Sequence, residues 1–265
     1  PNGDVEQNLF FPNAEFSAWL SLTLEARLRE HPLFEKAHPI ALGSWARGEL
    51  CPKSDIDVLF CGDESAVREV VGEFERQGLK LRYRMPENFD DWMIGVEPFD
   101  VLALLGARPL TAHGAQLLEA QHEKIKKRDV RFRVKLVAAM LKERREREVR
   151  FDSVSNYLEP NLKYGPGGLR DLQQAQIVAE LFSDRFNFDD HSFRVFAYYR
   201  DFFLTIRQKL QLGGGLDLLL AQEQHDLSDW LGFAEPKAFM KEVQRGLSRV
   251  SFYADWVIEQ ALSSD

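Results

Sequence analysis

Apolar and polar positions along this chain change rhythm several times, and each change marks an element. Over 16–34, Phe16, Leu20, Leu24 and Leu28 recur at helical spacing, and His31-Pro32 ends the helix they predict. Pro39-Ile40-Ala41-Leu42 is a short apolar strand running into Gly43, and 45–50 reads as a short helix closed by Pro52. A strand is expected over 56–61, a helix over 65–77 and a strand over 79–84, where apolar and polar residues alternate. Residues 85–97 read as loop or short helix, and 99–105 as a third strand with Asp100 near its start. This alternation predicts a small mixed-sheet α/β (α+β) domain.

Beyond Pro109 the rhythm is helical. One long helix is expected over 117–151, then a loop over 153–168 that carries Pro160, Gly165, Pro166, Gly167 and Gly168. Helices follow over 169–182, 192–212 and 236–262, with Gly213-Gly214-Gly215 as a turn. The expected organisation is an α/β domain with an N-terminal helix over 1–112 and an all-helical domain over 113–265.

Composition narrows the class. The 265 residues are 45% hydrophobic and 29% charged, an ordinary globular balance. A net charge of −8 disfavours nucleic acid as a partner. No apolar run approaches the ~20 residues of a membrane span, and the first residues lack the basic flank and apolar core of a signal peptide. The two cysteines, Cys51 and Cys61, are expected as plain thiols in a reducing compartment, and the expected location is cytoplasmic. Against the acidic total, residues 124–150 hold twelve Lys or Arg and four Asp or Glu. Such a stretch is either a solvated helix face laced with i,i+3 and i,i+4 pairs or a surface that steers phosphates.

The candidate chemistry lies in Gly43-Ser44 and Ser54-Asp55-Ile56-Asp57-Val58. On a strand Asp55 and Asp57 share a face, while Ile56 and Val58 point into the core. Two adjacent carboxylates repel, and a hard divalent ion with oxygen ligands, Mg²⁺ or Mn²⁺, is their natural partner. The bland alternative is a solvated Asp pair at an exposed strand end.

Gly43-Ser44-Trp45-Ala46-Arg47-Gly48-Glu49-Leu50, Pro52, Ser54 and Asp55-Ile56-Asp57 together resemble the signature of the polymerase-β-like nucleotidyltransferases. The Arg-Gly-Glu-Leu and Ser-Asp-Ile-Asp form is similar to the PII-protein uridylyltransferases. A second block is similar to that family's helical-domain motif: Tyr157-Leu158-Glu159-Pro160-Asn161-Leu162-Lys163, then Gly165-Pro166-Gly167-Gly168-Leu169-Arg170-Asp171-Leu172-Gln173. The resemblance implies transfer of UMP from UTP to a tyrosine of a PII-type signalling protein in nitrogen regulation. It assigns Asp55 and Asp57 as metal ligands and catalytic carboxylates, and Gly43 and Ser44 as the turn that admits the triphosphate. Arg47 binds phosphate or pairs with Glu49. Lys163 and Arg170 close on the nucleotide or serve as loop-capping and helix-surface charges, and Asp171 caps or buttresses Arg170 rather than binding metal.

Three departures accompany the resemblance. Trp45-Ala46 stands where the family has an aromatic followed by Gly. Aligned through Ala107-Arg108-Pro109-Leu110, the family's later carboxylate falls on Gly106. Asp100, in Phe99-Asp100-Val101, fits the superfamily's acid pattern and shares strand parity with position 106, yet would lie about 20 Å from it at ~3.3 Å per residue. Asp100 is therefore the expected third catalytic carboxylate, or else the site is incomplete. Finally, the family's hydrolase and regulatory domains are missing, so the chain is either part of a larger protein or a stand-alone transferase relative. The competing functions are an adenylyltransferase using ATP on a protein acceptor and a degenerate, non-catalytic nucleotide-binding or scaffold module.

Overall fold

The computed structural model describes residues 14–86, 98–151, 154–183, 186 and 190–263. Nearly all of the loop or short helix expected over 85–97 lies outside them. Two compact units emerge, Glu15–Leu136 and Val137–Asp265.

The first unit begins with helix α1 (Ala14–Arg29) and a single turn, α2 (Phe34–Ala37), which leads into strand β1 (Pro39–Ala41). The one-turn helix α3 (Gly43–Ala46) follows, then β2 (Ile56–Phe60), α4 (Glu64–Arg76) and β3 (Leu81–Arg84). Helix α5 (Pro98–Leu105), strand β4 (Arg108–Pro109) and helix α6 (Ala112–Lys126) complete it. The sheet order is β3-β2-β1-β4. β1 runs antiparallel to both β2 and β4, whereas β2 and β3 are parallel. A parallel pair needs a crossover, which α4 supplies.

One sheet face carries the core. Ala41, Val58, Phe60 and Leu81 pack there with Leu24 and Leu28 of α1 and Val67, Val70 and Phe74 of α4. Trp45 is fully buried in the same cluster, and its indole N–H donates to the Ser21 carbonyl at 3.2 Å. That bond fixes α3, and so the turn before the acidic strand, against α1.

The structure corrects the sequence reading at three places. Residues 99–105 form a helix, α5, where a strand was expected; the strand that follows is β4, only two residues long. The parity and spacing argument joining Asp100 to position 106 therefore does not apply. The helix expected over 117–151 is two helices, α6 and α7 (Val130–Phe151). Asp129 starts the second by accepting the Phe132 N–H at 2.9 Å, the bond of an N-cap. The boundary between the two units falls inside α7.

The second unit holds the rest of α7, α8 (Val154–Leu158), α9 (Leu169–Leu181), α10 (Asp190–Leu212), α11 (Ala221–Trp230) and α12 (Pro236–Leu262). Its core is built from Leu172, Ala175 and Val178 of α9, Tyr199, Phe202, Phe203 and Ile206 of α10, and Phe239, Val243, Val250 and Val257 of α12. Gly246 lets α12 approach α10 closely: a Cβ there would fall 2.5 Å from the Tyr199 ring.

Candidate active site

Asp55 immediately precedes β2 and Asp57 is its second residue, so the two carboxylates share one sheet face. Their side chains are 59% and 36% exposed. The glycine turn lies directly against them. The Leu42 N–H donates to the Asp57 carbonyl at 3.0 Å, which carries the β1–β2 pairing one step beyond the strand. Gly43 then turns with φ of +54°, and a Cβ at that position would meet Asp57 Oδ2 at 3.2 Å. Sequence reading placed Gly43 and Asp57 in one site, and the structure brings them into contact.

β3 contributes two residues that sequence reading missed. The parallel register sets Arg82 opposite Asp57 and Arg84 opposite Leu59. Arg82 Nη1 lies 2.7 Å from Asp55 Oδ2, and its Nε lies 3.7 Å from Asp57 Oδ1. One guanidinium thus bridges both carboxylates. Arg84, two residues on along the same face, pairs with Asp100 from the first turn of α5. The alternation in 79–84 was the available signal, but only the strand register reveals which acids these arginines meet.

The remaining sequence candidates take these places. The Ser44 carbonyl accepts the Glu49 N–H at 2.8 Å. Arg47 Nε donates to the buried Glu49 carboxylate at 2.7 Å, the scaffold arrangement of the two open for it. Ser54 closes a tight turn: its hydroxyl accepts the Cys51 N–H at 2.9 Å, and its own N–H donates to the Cys51 carbonyl at 2.9 Å. Asp100 is held by Arg84, and among the described residues no group of three His, Cys, Asp or Glu side chains is placed to share an ion. Gly106 lies in the turn between α5 and β4, and a side chain there would meet nothing within 4 Å.

Lys163 and Arg170 belong to the second unit. Lys163 Nζ sits 4.8 Å from the centre of the Tyr164 ring, and its carbonyl accepts the Arg170 N–H at 2.9 Å. Arg170 Nε is buried and makes no hydrogen bond among the described residues. Asp171, the third residue of α9, faces α7 and the glycine-rich loop. Fully buried, it accepts from Arg147 Nη2 at 2.7 Å and from the Gly167 N–H at 2.7 Å, with Arg144 Nε 3.7 Å away. Arg147 also donates to the Tyr164 carbonyl at 3.1 Å. Two arginines of the basic stretch are therefore buried ties rather than part of a solvated face: Arg147 holds the glycine-rich loop at Tyr164, and Arg144 reaches Asp255 of α12.

Fit to a divalent ion rests on the donor set. Mg²⁺ is commonly held by one or two carboxylates, its remaining positions filled by water and substrate phosphates. Asp55 and Asp57 supply such a pair, half-exposed and on one face. The bare Cα of Gly43 leaves the space beside Asp57 Oδ2 open where any other residue would place a methylene.

A mixed sheet with this acidic strand, followed by a helical region, defines an α/β nucleotidyltransferase-type domain and its helical companion. Residues 135–258 match the family model described as GlnD PII-uridylyltransferase. The chain is 28% identical over 237 residues to a bifunctional uridylyltransferase/uridylyl-removing enzyme of Bradyrhizobium sp. (strain ORS 278), covering 80% of this chain and 25% of the relative. Proteins of the same name match from Phenylobacterium zucineum (strain HLK1), 30% identical over 68% of this chain and 21% of the relative, and from Xanthomonas campestris pv. campestris (strain B100), 31% over 59% and 18%. This chain is a relative of the PII-uridylyltransferases, a family of nucleotidyltransferase enzymes. It spans about a quarter or less of the length of these curated relatives. No helix among the described residues is long and apolar enough to cross a membrane.

Proposed function

We propose that this chain carries the nucleotidyl-transfer function of a protein-modifying enzyme, moving UMP from UTP to a tyrosine of a PII-type signalling protein. The observation that carries the reading is the contact between Gly43 and the Asp57 carboxylate, which joins the phosphate-admitting turn to the metal-binding pair. Asp55 and Asp57 would hold Mg²⁺. Bound there, the ion supplies charge neutralisation for the triphosphate and acidifies the attacking hydroxyl. The protein's own part is positioning. Trp45 anchors the turn, Leu42 sets the height of Asp57 relative to Gly43, and the Arg47–Glu49 pair holds the segment that follows. Asp100 fixes the start of α5 to β3 through Arg84.

The test is transfer of label from α-labelled UTP, with α-labelled ATP in parallel, to a purified PII protein with Mg²⁺ and with Asp55→Asn as the blank. Label from UTP alone supports the reading, and label from ATP alone replaces it with protein adenylylation.

A second reading has its own observation. Position 106, where the resemblance places the later carboxylate, is a glycine, and among the described residues no group of three His, Cys, Asp or Glu side chains is placed to share an ion. Saturable binding of UTP with Mg²⁺ but no transfer to any acceptor would make the chain a nucleotide-binding module.

A further inference from the structure

We propose that Arg82 is a resident counter-cation of the Asp55–Asp57 pair, which makes the site prefer a metal–nucleotide complex over a free divalent ion; the proposal rests on the nucleotidyl-transfer reading above.

Arg82 meets Asp55 Oδ2 at 2.7 Å and Asp57 Oδ1 at 3.7 Å, so one planar group neutralises two carboxylates that would otherwise repel. The other oxygen of Asp57, Oδ2, faces the bare Cα of Gly43, where a Cβ would stand 3.2 Å away. An ion that takes both carboxylates therefore has to displace the guanidinium that bridges them. Arg82 is 62% exposed, which makes its ion pairs weak and replaceable. Its same-face neighbour Arg84 is already committed to Asp100, so it cannot take over when Arg82 leaves.

Charge decides which visitor succeeds. A bare divalent ion that displaces Arg82 leaves a guanidinium beside a new dication, an unfavourable neighbour. A divalent ion arriving on a triphosphate brings a net negative charge, and the released guanidinium has phosphate oxygens to receive its fork of N–H donors. Arg82 thus acts as a specificity-determining residue without taking part in bond making.

The experiment measures Mn²⁺ binding to the whole chain by electron paramagnetic resonance, with and without non-hydrolysable α,β-imido-UTP, alongside circular dichroism and a thermal melt. Arg82→Gln should bind Mn²⁺ alone about 1.5-fold to fivefold more tightly than the unaltered chain, the range expected from losing an exposed competing ion pair. Its gain in Mn²⁺ affinity on adding the nucleotide should shrink. Equal Mn²⁺ affinities for the two proteins, with binding abolished by Asp57→Asn in both, would overturn the role of Arg82 and leave the metal site standing. Folded protein that retains no Mn²⁺ in either form, with or without nucleotide, would overturn both.

Discussion

Gly43 and Asp57 stand so close that a Cβ on the former would meet Oδ2 of the latter at 3.2 Å, and Gly43 holds a left-handed φ of +54° besides. Gly43→Ala therefore faces two penalties at once. The left-handed backbone costs an L-residue about 1–2 kcal/mol, and the methyl pushes on the Asp57 carboxylate proposed to hold the metal. A melting temperature lowered by several degrees, with UMP transfer reduced at least tenfold, is the expected result of calorimetry and labelled-UTP assay.

Asp55→Asn and Asp57→Asn should each abolish Mg²⁺-dependent transfer while shifting stability by no more than about 0.5 kcal/mol, the usual range for exposed positions. Both acids are partly solvated and their ion pairs with Arg82 are exposed and weak, so the fold has little to lose. Denaturant melts beside the transfer assay check both halves, and full activity in either variant would remove the metal assignment.

Gly106→Asp and Asp100→Asn separate the candidates for a third carboxylate. The Cβ of a residue at 106 enters open space, so the aspartate is expected to fold normally and, if that position supplies the third carboxylate, to raise Mn²⁺ retention measured by electron paramagnetic resonance. Asp100→Asn breaks the tie to Arg84; a lower melting temperature with transfer largely preserved is expected. Loss of transfer in folded Asp100→Asn would instead place that residue in the metal site.

Asp171→Ala should be the most damaging single change in the second unit. It strips a fully buried carboxylate from Arg147 at 2.7 Å and leaves Arg144 and Arg147 as buried cations short of a partner. Breaking a buried pair in this way costs about 3–5 kcal/mol, readable as a fall in the denaturant midpoint.

Alkali should loosen the second unit. Burial, reinforced for Tyr199 by the Glu242 carboxylate, pushes the phenols of Tyr199 and Tyr253 up to about 12 from an ordinary 10.0. Between those values the folded chain holds more protons than the unfolded one, so stability falls as pH rises and is intact below 10. Denaturant midpoints measured from pH 8 to 11.5 should hold steady and then decline. Tyr253→Phe should flatten the decline.

Much of the fold was legible because period and punctuation agreed, as where Pro236 opens α12; the short helix expected over 45–50 instead spans Gly43–Ala46, because Gly43 itself begins the turn. The segment 99–105 failed because Phe-Asp-Val-Leu-Ala-Leu-Leu is a short apolar run, which periodicity cannot divide between strand and buried helix. Asp129 was a readable cap between α6 and α7, but the charge run around it hid the break. α11 was missed because Ala-Gln-Glu-Gln-His-Asp-Leu-Ser-Asp-Trp carries little apolar signal. In the site, Gly43, Asp55 and Asp57 were visible as a motif. Arg82 and Arg84 were not, since their meaning depends on the β2–β3 register, a relation between distant segments.

The turn at Gly167 shows what kind of signature the glycine-rich block is. A Cβ there would fall 1.8 Å from the Leu247 carbonyl, inside any tolerable separation, and its N–H is spoken for by Asp171. Loop and α12 backbone are thus machined to one fit, as a key blank is to its ward. Neither can drift in sequence alone, and a graft that carried the loop into another helical scaffold without α12 would not seat.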